Sequence, residues 1–270
     1  EEDETGESKI IFPEAITQRY LDKMIEDDPW TYWTQMVNLP QQAGMAEFLS
    51  FTIHECEVVN KDEKWWIFLP YTEEWISFGD IEISGGLDPA WTESGITAKT
   101  SKSAVTVWGQ DAYRRKFLID GRAGYVSPLT AIDWIFQMQE RYMGAIRTFY
   151  FEKAGGQKFI RAMADEERLK REVFISFDDV TAQGDKDGRI RTVLGSDLEA
   201  GRIYVNKKSQ VGEAFKTEIK QFPNTRMKDV LDSSVVALAK SLPPLSEEDD
   251  EDLEAQEERF RNRVVSSFGW

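Results

Sequence analysis

The chain has 270 residues, of which 41% are hydrophobic and 30% charged, enough for one large domain with an appended piece. His54 is the only histidine and Cys56 the only cysteine, which excludes an internal disulfide, a thiolate metal cluster and a histidine-rich zinc site; no apolar run approaches the roughly 18 residues of a membrane span, and the acidic start Glu1-Glu2-Asp3-Glu4 is not a signal peptide. The net charge of −16 weighs against nucleic acid on its sum, but residues 1–9 carry −4 and residues 246–258 carry −9, so the body holds only −3.

Residues 1–9 read as a disordered acidic leader, and residues 10–80 as a segment of its own ahead of the main domain. Within it, residues 14–26 fit a short amphipathic helix behind Pro13, stopped by Pro29. A second helical stretch near 30–37 ends before Asn38-Leu39-Pro40, and 41–80 reads as irregular apart from one strand at Trp65–Leu69. From 81 the pattern changes. Ile81–Leu87 predicts a strand ending at Asp88-Pro89, residues 90–101 a polar loop, and Ala104–Gly109 with Lys116–Asp120 a hairpin. The apolar spacing at 132, 135, 136 and 138 predicts a helix over Thr130–Tyr142. Then follow a strand at Ile146–Phe151, a helix from Gly155-Gly156 to about 168, and a strand at Val173–Phe177. A short helix at Lys186–Leu194, a strand at Gly201–Val205, and helices at Val211–Gln221 and Lys228–Lys240 complete the domain, 81–245, before an acidic tail, 246–270. Strands alternating with helices in this order predict an α/β fold, a mixed central sheet flanked by helices.

Acids fall where such a fold builds its sites. Asp88 closes the first main strand and Glu152 the fourth, and Asp229 and Asp232 open the last helix, three residues apart and so on one face. Carboxylates brought together without a cation repel and hold on to protons. Two divalent ions offset that repulsion and supply phosphodiester hydrolysis without help from histidine or cysteine, and an all-carboxylate set favours magnesium or manganese. Each acid alone has a plainer reading, because an aspartate at a helix N-terminus is often only a cap. Lys102, Lys186 and Arg189 are candidate contacts to a DNA backbone, against the plainer reading of surface charge. Of the nine tryptophans, Trp108 and Trp134 fit core positions and Trp91 is the one placed to meet DNA. His54 reads as structural and Cys56 as a small buried hydrophobe.

The segments Gly86-Leu87-Asp88-Pro89-Ala90 and Lys102-Ser103-Ala104-Val105-Thr106-Val107-Trp108-Gly109 resemble the first hairpin of the nuclease domain of tailed-phage terminase large subunits. Phe151-Glu152-Lys153-Ala154-Gly155-Gly156-Gln157 resembles that family's second acidic motif. Gly184-Asp185-Lys186-Asp187-Gly188-Arg189-Ile190 resembles its Lys-x-x-Arg segment, and Phe222-Pro223-Asn224 with Lys228-Asp229-Val230-Leu231-Asp232 its closing motif. Phe12-Pro13, Pro29-Trp30, Gln35 and Asn38-Leu39-Pro40 are similar to the segment joining the family's ATPase to its nuclease, so the resemblance covers about residues 10–240.

It implies an RNase H-like fold and a metal-dependent endonuclease that cuts double-stranded DNA during genome packaging in the host cytoplasm. It implies Mg2+ or Mn2+ held by Asp88, Glu152 and the Asp229/Asp232 pair, with Asp232 favoured as the essential member. The implied partners are DNA, an ATPase domain, the small terminase subunit and the portal protein, with no membrane. Where the family often carries an acid, this chain has Lys102-Ser103, and it has no G-x-x-x-x-G-K-[ST] phosphate loop for an ATPase. The rival expectations are a DNA-gripping or portal-docking module that binds metal without turnover, and another RNase H-like nuclease such as a junction resolvase.

Overall fold

The computed structural model describes residues 17–27, 47–48, 50–92, 95–96, 102–152, 157–181, 184–225 and 227–244. The expectations for the leader, the helical stretch near 30–37 and the tail 246–270 fall outside these residues. The chain divides into two compact units, 1–50 with 219–226, and 51–218 with 227–270. In the first, α1 spans Gln18–Asp27, overlapping the predicted amphipathic stretch 14–26 and ending ahead of Pro29. Phe48 stacks on Phe222 with ring centroids 4.9 Å apart, and the Glu47 amide donates to the Phe222 carbonyl at 2.8 Å.

The second unit opens with β1 (His54–Lys61), β2 (Lys64–Leu69) and β3 (Glu74–Ser77), then β4 (Ile81–Asp88), β5 (Trp91–Thr92), β6 (Gly95–Ile96), β7 (Ser103–Asp111) and β8 (Lys116–Gly124). There follow α2 (Pro128–Arg141), β9 (Thr148–Glu152), α3 (Gln157–Arg171) and β10 (Ser176–Val180). Next come α4 (Lys186–Ile190), a π turn (Arg191–Gly195), α5 (Ser196–Glu199), β11 (Ile203–Asn206), α6 (Gly212–Gln221) and α7 (Asp229–Leu238). Among the described residues these strands form a nine-stranded sheet in the order β10-β9-β4-β7-β8-β11-β1-β2-β3, with β5 and β6 as a separate pair.

In its first five strands, β4 runs parallel to β9 and β9 to β10, while β7 is antiparallel to both β4 and β8. A three-strand meander whose first strand is followed, on its other side, by two successive parallel strands reached through helices is the RNase H-like arrangement. The fold is therefore α/β, a mixed central sheet flanked by helices, as the sequence predicts.

Residues 41–80 correct that reading. Far from holding one strand, 54–77 supplies three, and they continue the same sheet, β1 parallel to β11 and antiparallel to β2. They belong to the compact unit Phe51–Glu218 with Met227–Trp270. The reason lies in burial: only Cys56 and Val58 of β1 turn fully inward, so His-Glu-Cys-Glu-Val-Val-Asn-Lys carries too little apolar alternation to announce a strand. The predicted helix over Lys186–Leu194 is also altered. It is a run of α4, π turn and α5, and buried Lys116 ties it to the sheet through the Val193 carbonyl (2.9 Å) and the Asp197 carboxylate (2.6 Å).

Side-chain alternation along β4 divides its work. Ile83 and Leu87 join the core with Ile132, Ile135 and Phe136 of α2, whose N-terminus Ser127 caps by accepting the Thr130 amide. Ser84 and Gly86 face α7. A Cβ on Gly86 would land on the Ser233 carbonyl oxygen and the Ala237 amide of α7, so the absent side chain lets the helix lie directly on the strand. Polar bonds pin it there: Ser84 Oγ donates to the Ala237 carbonyl (2.8 Å), Ser233 Oγ donates to the Gly86 carbonyl (2.9 Å), and Ser233 Oγ meets Thr106 Oγ1 at 3.0 Å.

Candidate active site

The seating of α7 decides where the acids go. Asp88 ends β4 two residues beyond Gly86, so the pleat puts it on the α7 face. Glu152 ends β9, the parallel neighbour, whose register pairs Leu87 with Phe151; Asp88 and Glu152 therefore stand at the same end of adjacent strands and on the same face. Asp229 and Asp232 come down on them from the first turns of α7.

The electrostatics record this convergence. Burial first, then Asp232, Asp229 and Glu152, push the Asp88 carboxyl up to about 7, with the Lys186 ammonium pulling the other way. Asp232 is only 5% exposed, and burial raises its carboxyl despite a 2.7 Å hydrogen bond from Lys186 Nζ. Burial also raises Asp229, which accepts the Lys102 main-chain amide at 3.2 Å. Arg189 holds Glu152, Nη1 to Oε1 at 3.1 Å, while its own Nε is buried without a partner among the described residues. The four sequence-predicted acids are thus brought together, with two of the three predicted phosphate contacts among them.

Among the described residues no group of three or more Asp, Glu, His or Cys side chains is arranged to hold a metal ion as it stands. Lys186 and Arg189 instead neutralise Asp232 and Glu152. In kind, however, the donors suit a hard divalent cation: all four are carboxylates, and a buried acid cluster that resists ionising gains most from a cation. Lys102 enters the site by its main chain, and its ammonium lies 5.6 Å from the Tyr125 ring. The Trp91 side chain lies outside what is described. Trp108 is fully buried and Trp134 packs against the core. His54 and Cys56 lie on β1, with three strands between it and β4; His54 stacks on Tyr204 with ring centroids 5.0 Å apart, and Cys56 is fully buried, its thiol pushed up to about 12 chiefly by that burial.

Two participants escaped the sequence reading. Lys228, just ahead of α7, pairs with Asp187 of α4 at 2.6 Å, fastening the helix that carries the acids to the one that carries Lys186 and Arg189. Glu218 of α6, 7% exposed, accepts the Leu231 amide of α7 at 2.9 Å. Burial pushes its carboxyl up to about 8, against the pull of the Leu231 and Val230 amides. On an amphipathic helix Glu218 has no local signature that separates it from a surface acid. Beside the site, a cavity of about 700 Å3 runs past Val180, Gly188, Arg189, Thr192, Val235 and Lys240.

No family model matches the sequence, and no curated protein matches it significantly. Among solved structures, the chain is similar to the large terminase nuclease from thermophilic phage G20c, at 11% identity and a TM-score of 0.48 over 74% of this chain and 100% of that one. It is similar also to T. thermophilus RuvC in complex with a Holliday junction substrate (10% identity, TM-score 0.32, 58% of this chain and 90% of that one). A third is the Fowlpox virus resolvase in complex with Holliday junction DNA (12% identity, TM-score 0.33, 58% of this chain and 95% of that one).

Proposed function

We propose that the chain is a divalent-metal-dependent endonuclease that cuts double-stranded DNA, acting in the genome-packaging machinery of a tailed phage. The observation that carries the reading is the convergence of Asp88, Glu152, Asp229 and Asp232, from two parallel strand ends and one helix, on a single face of an RNase H-like sheet. These four would hold Mg2+ or Mn2+. A pair of such ions activates water for attack on a phosphodiester and stabilises the leaving oxygen.

The remaining work falls to the chain itself. The Lys102 main-chain amide and the Lys186 ammonium hold Asp229 and Asp232 in place. Arg189 is less exposed than Lys186 and holds the Glu152 carboxylate. Lys186 has a side chain 57% exposed, free to leave Asp232 and meet a backbone phosphate as DNA arrives. Such contacts grip the backbone and read no bases, so cleavage has weak sequence preference. In packaging, the partners would be an ATPase motor domain, a small terminase subunit and the portal, all in the host cytoplasm.

The test is plasmid nicking with manganese. Asp88→Asn, shown to be folded by circular dichroism, is expected to fall to background, and wild-type cleavage in that variant would remove Asp88 from the chemistry. The Lys186–Asp232 and Arg189–Glu152 pairs favour one second reading, a DNA-gripping or portal-docking module whose acids are neutralised internally. Manganese binding without nicking under any divalent metal would select it. Faster cutting of four-way junctions than of linear duplex would instead select a resolvase.

A further inference from the structure

The first turn of α7 carries Asp229 and Asp232, yet its own sequence does not cap it. Lys228 occupies the cap position and makes no side-chain bond to the helix, and the Asp229 carboxylate turns away to the Lys102 amide. The first amide bonded within the helix is that of Asp232, which donates to the Lys228 carbonyl at 2.7 Å. The amides before it would be orphaned in a buried place, at a cost that such groups rarely bear. Glu218, thirteen residues back on a different helix, meets the last of them: Leu231 donates to its Oε2 at 2.9 Å, and the neighbouring Val230 amide favours the charge of the same carboxyl.

Resting on the metal-binding reading above, we propose that Glu218 is the positioning residue of the site, the group that fixes the first turn of α7 and so sets where Asp229 and Asp232 stand relative to Asp88. Its carboxyl acts on the acids through the helix amide that it accepts. Leu231, the residue it holds, lies between the two acids in sequence. Loss of that bond therefore moves both acids together, whereas Lys102 and Lys186 each steady only one.

The experiment is a calorimetric titration of Mn2+ into the full chain, run with thermal melts on the same samples. Glu218→Ala removes the acceptor and is expected to weaken Mn2+ binding by on the order of tenfold, the scale at which groups supporting metal ligands act. Glu218→Asp withdraws the carboxylate by one methylene and is expected to weaken it too, while Glu218→Gln retains a carbonyl acceptor and stays near wild type. Tyr142→Phe, which loses the buried bond to Asp120 (3.0 Å) away from the site, is expected to lower the melting temperature and leave Mn2+ affinity unchanged. The proposal is overturned if a folded Glu218→Ala or Glu218→Asp binds Mn2+ as wild type does, or if Tyr142→Phe loses as much affinity as they do. Should Glu218→Ala not fold, the contrast of Asp with Gln decides. A wild-type chain that takes up no Mn2+ overturns the metal reading itself, a result distinct from a wild type that binds and variants that bind equally well.

Discussion

Asp88 is a carboxyl whose surroundings disfavour its charge, and that has a thermodynamic consequence. Its folded value of about 7 lies above the ordinary carboxyl value of 3.8, so across that window the folded chain binds more protons than the unfolded one. Stability in the absence of metal is then greatest at low pH and is lost as pH rises toward 7. Glu218, raised from 4.5 to about 8, acts with the same sign and extends the window. Melting temperatures of metal-free protein are expected to fall from about pH 5 to about pH 8. Added Mn2+ should raise the melting temperature more at about pH 8 than at about pH 6, because protons compete for the same oxygens. A metal-free profile that rises across this range would contradict the placement of these acids. Lys186 offers a second check. In Lys186→Met, Asp232 loses its ammonium, and Mn2+ binding is expected to tighten. DNA binding should weaken at the same time, with the dependence of log affinity on log salt shallower by about one.

At the scale of the element, α7 is more than the bearer of two acids. Its small residues Ser233 and Ala237 fit the bare backbone of Gly86, and three serine and threonine hydroxyls, from Ser84, Thr106 and Ser233, stitch it to β4 and β7. Gly86→Ala forces a methyl into backbone that has no room, and overpacking of this kind costs about 1–3 kcal/mol. Denaturant unfolding is expected to show that loss. Mn2+ titration should show weaker binding as well, because lifting α7 carries Asp229 and Asp232 away from Asp88. A variant destabilised with unchanged Mn2+ affinity would separate the seat of the helix from the site. The composite helical run of α4, π turn and α5 works similarly. Lys116, Asp197 and Arg202 hold its far end, and its near end presents Lys186 and Arg189 to the acids.

Across the whole second unit, the sheet extends well past the five strands that position the acids. β1, β2 and β3 cover the free edge of β11 and place Cys56, Val58, Ile67, Leu69 and Ile76 in the same core as Ile83 and Leu87. Deleting residues 51–80 would bare that edge and remove those side chains. The shortened chain is expected to lose its cooperative unfolding transition and to aggregate on size-exclusion chromatography. A soluble, cooperatively melting product beginning at 81 would show that β1–β3 are an accessory to the fold.

Legible in the sequence were the places of Asp88 and Glu152 at strand ends and of Asp229 and Asp232 on one helical face, because periods of two and 3.6 residues are local properties of the chain; choosing these four acids as a set rested on the motif resemblance. The alternation of strands and helices was legible for the same reason. Hidden from it were β1 and β3: the turn from β1 into β2 at Asp62-Glu63 adopts positive φ at both residues without the Asn-Gly or Asp-Gly signature, and the pairing of β1 with β11 joins residues about 150 apart. The tertiary structure alone decided that Lys186 and Arg189 lie on carboxylates, that Gly86 is the seat of α7, and that Glu218 supplies the missing cap. Each depends on which surfaces meet, and burial turns an ordinary acid, base or glycine into one with a single place to be.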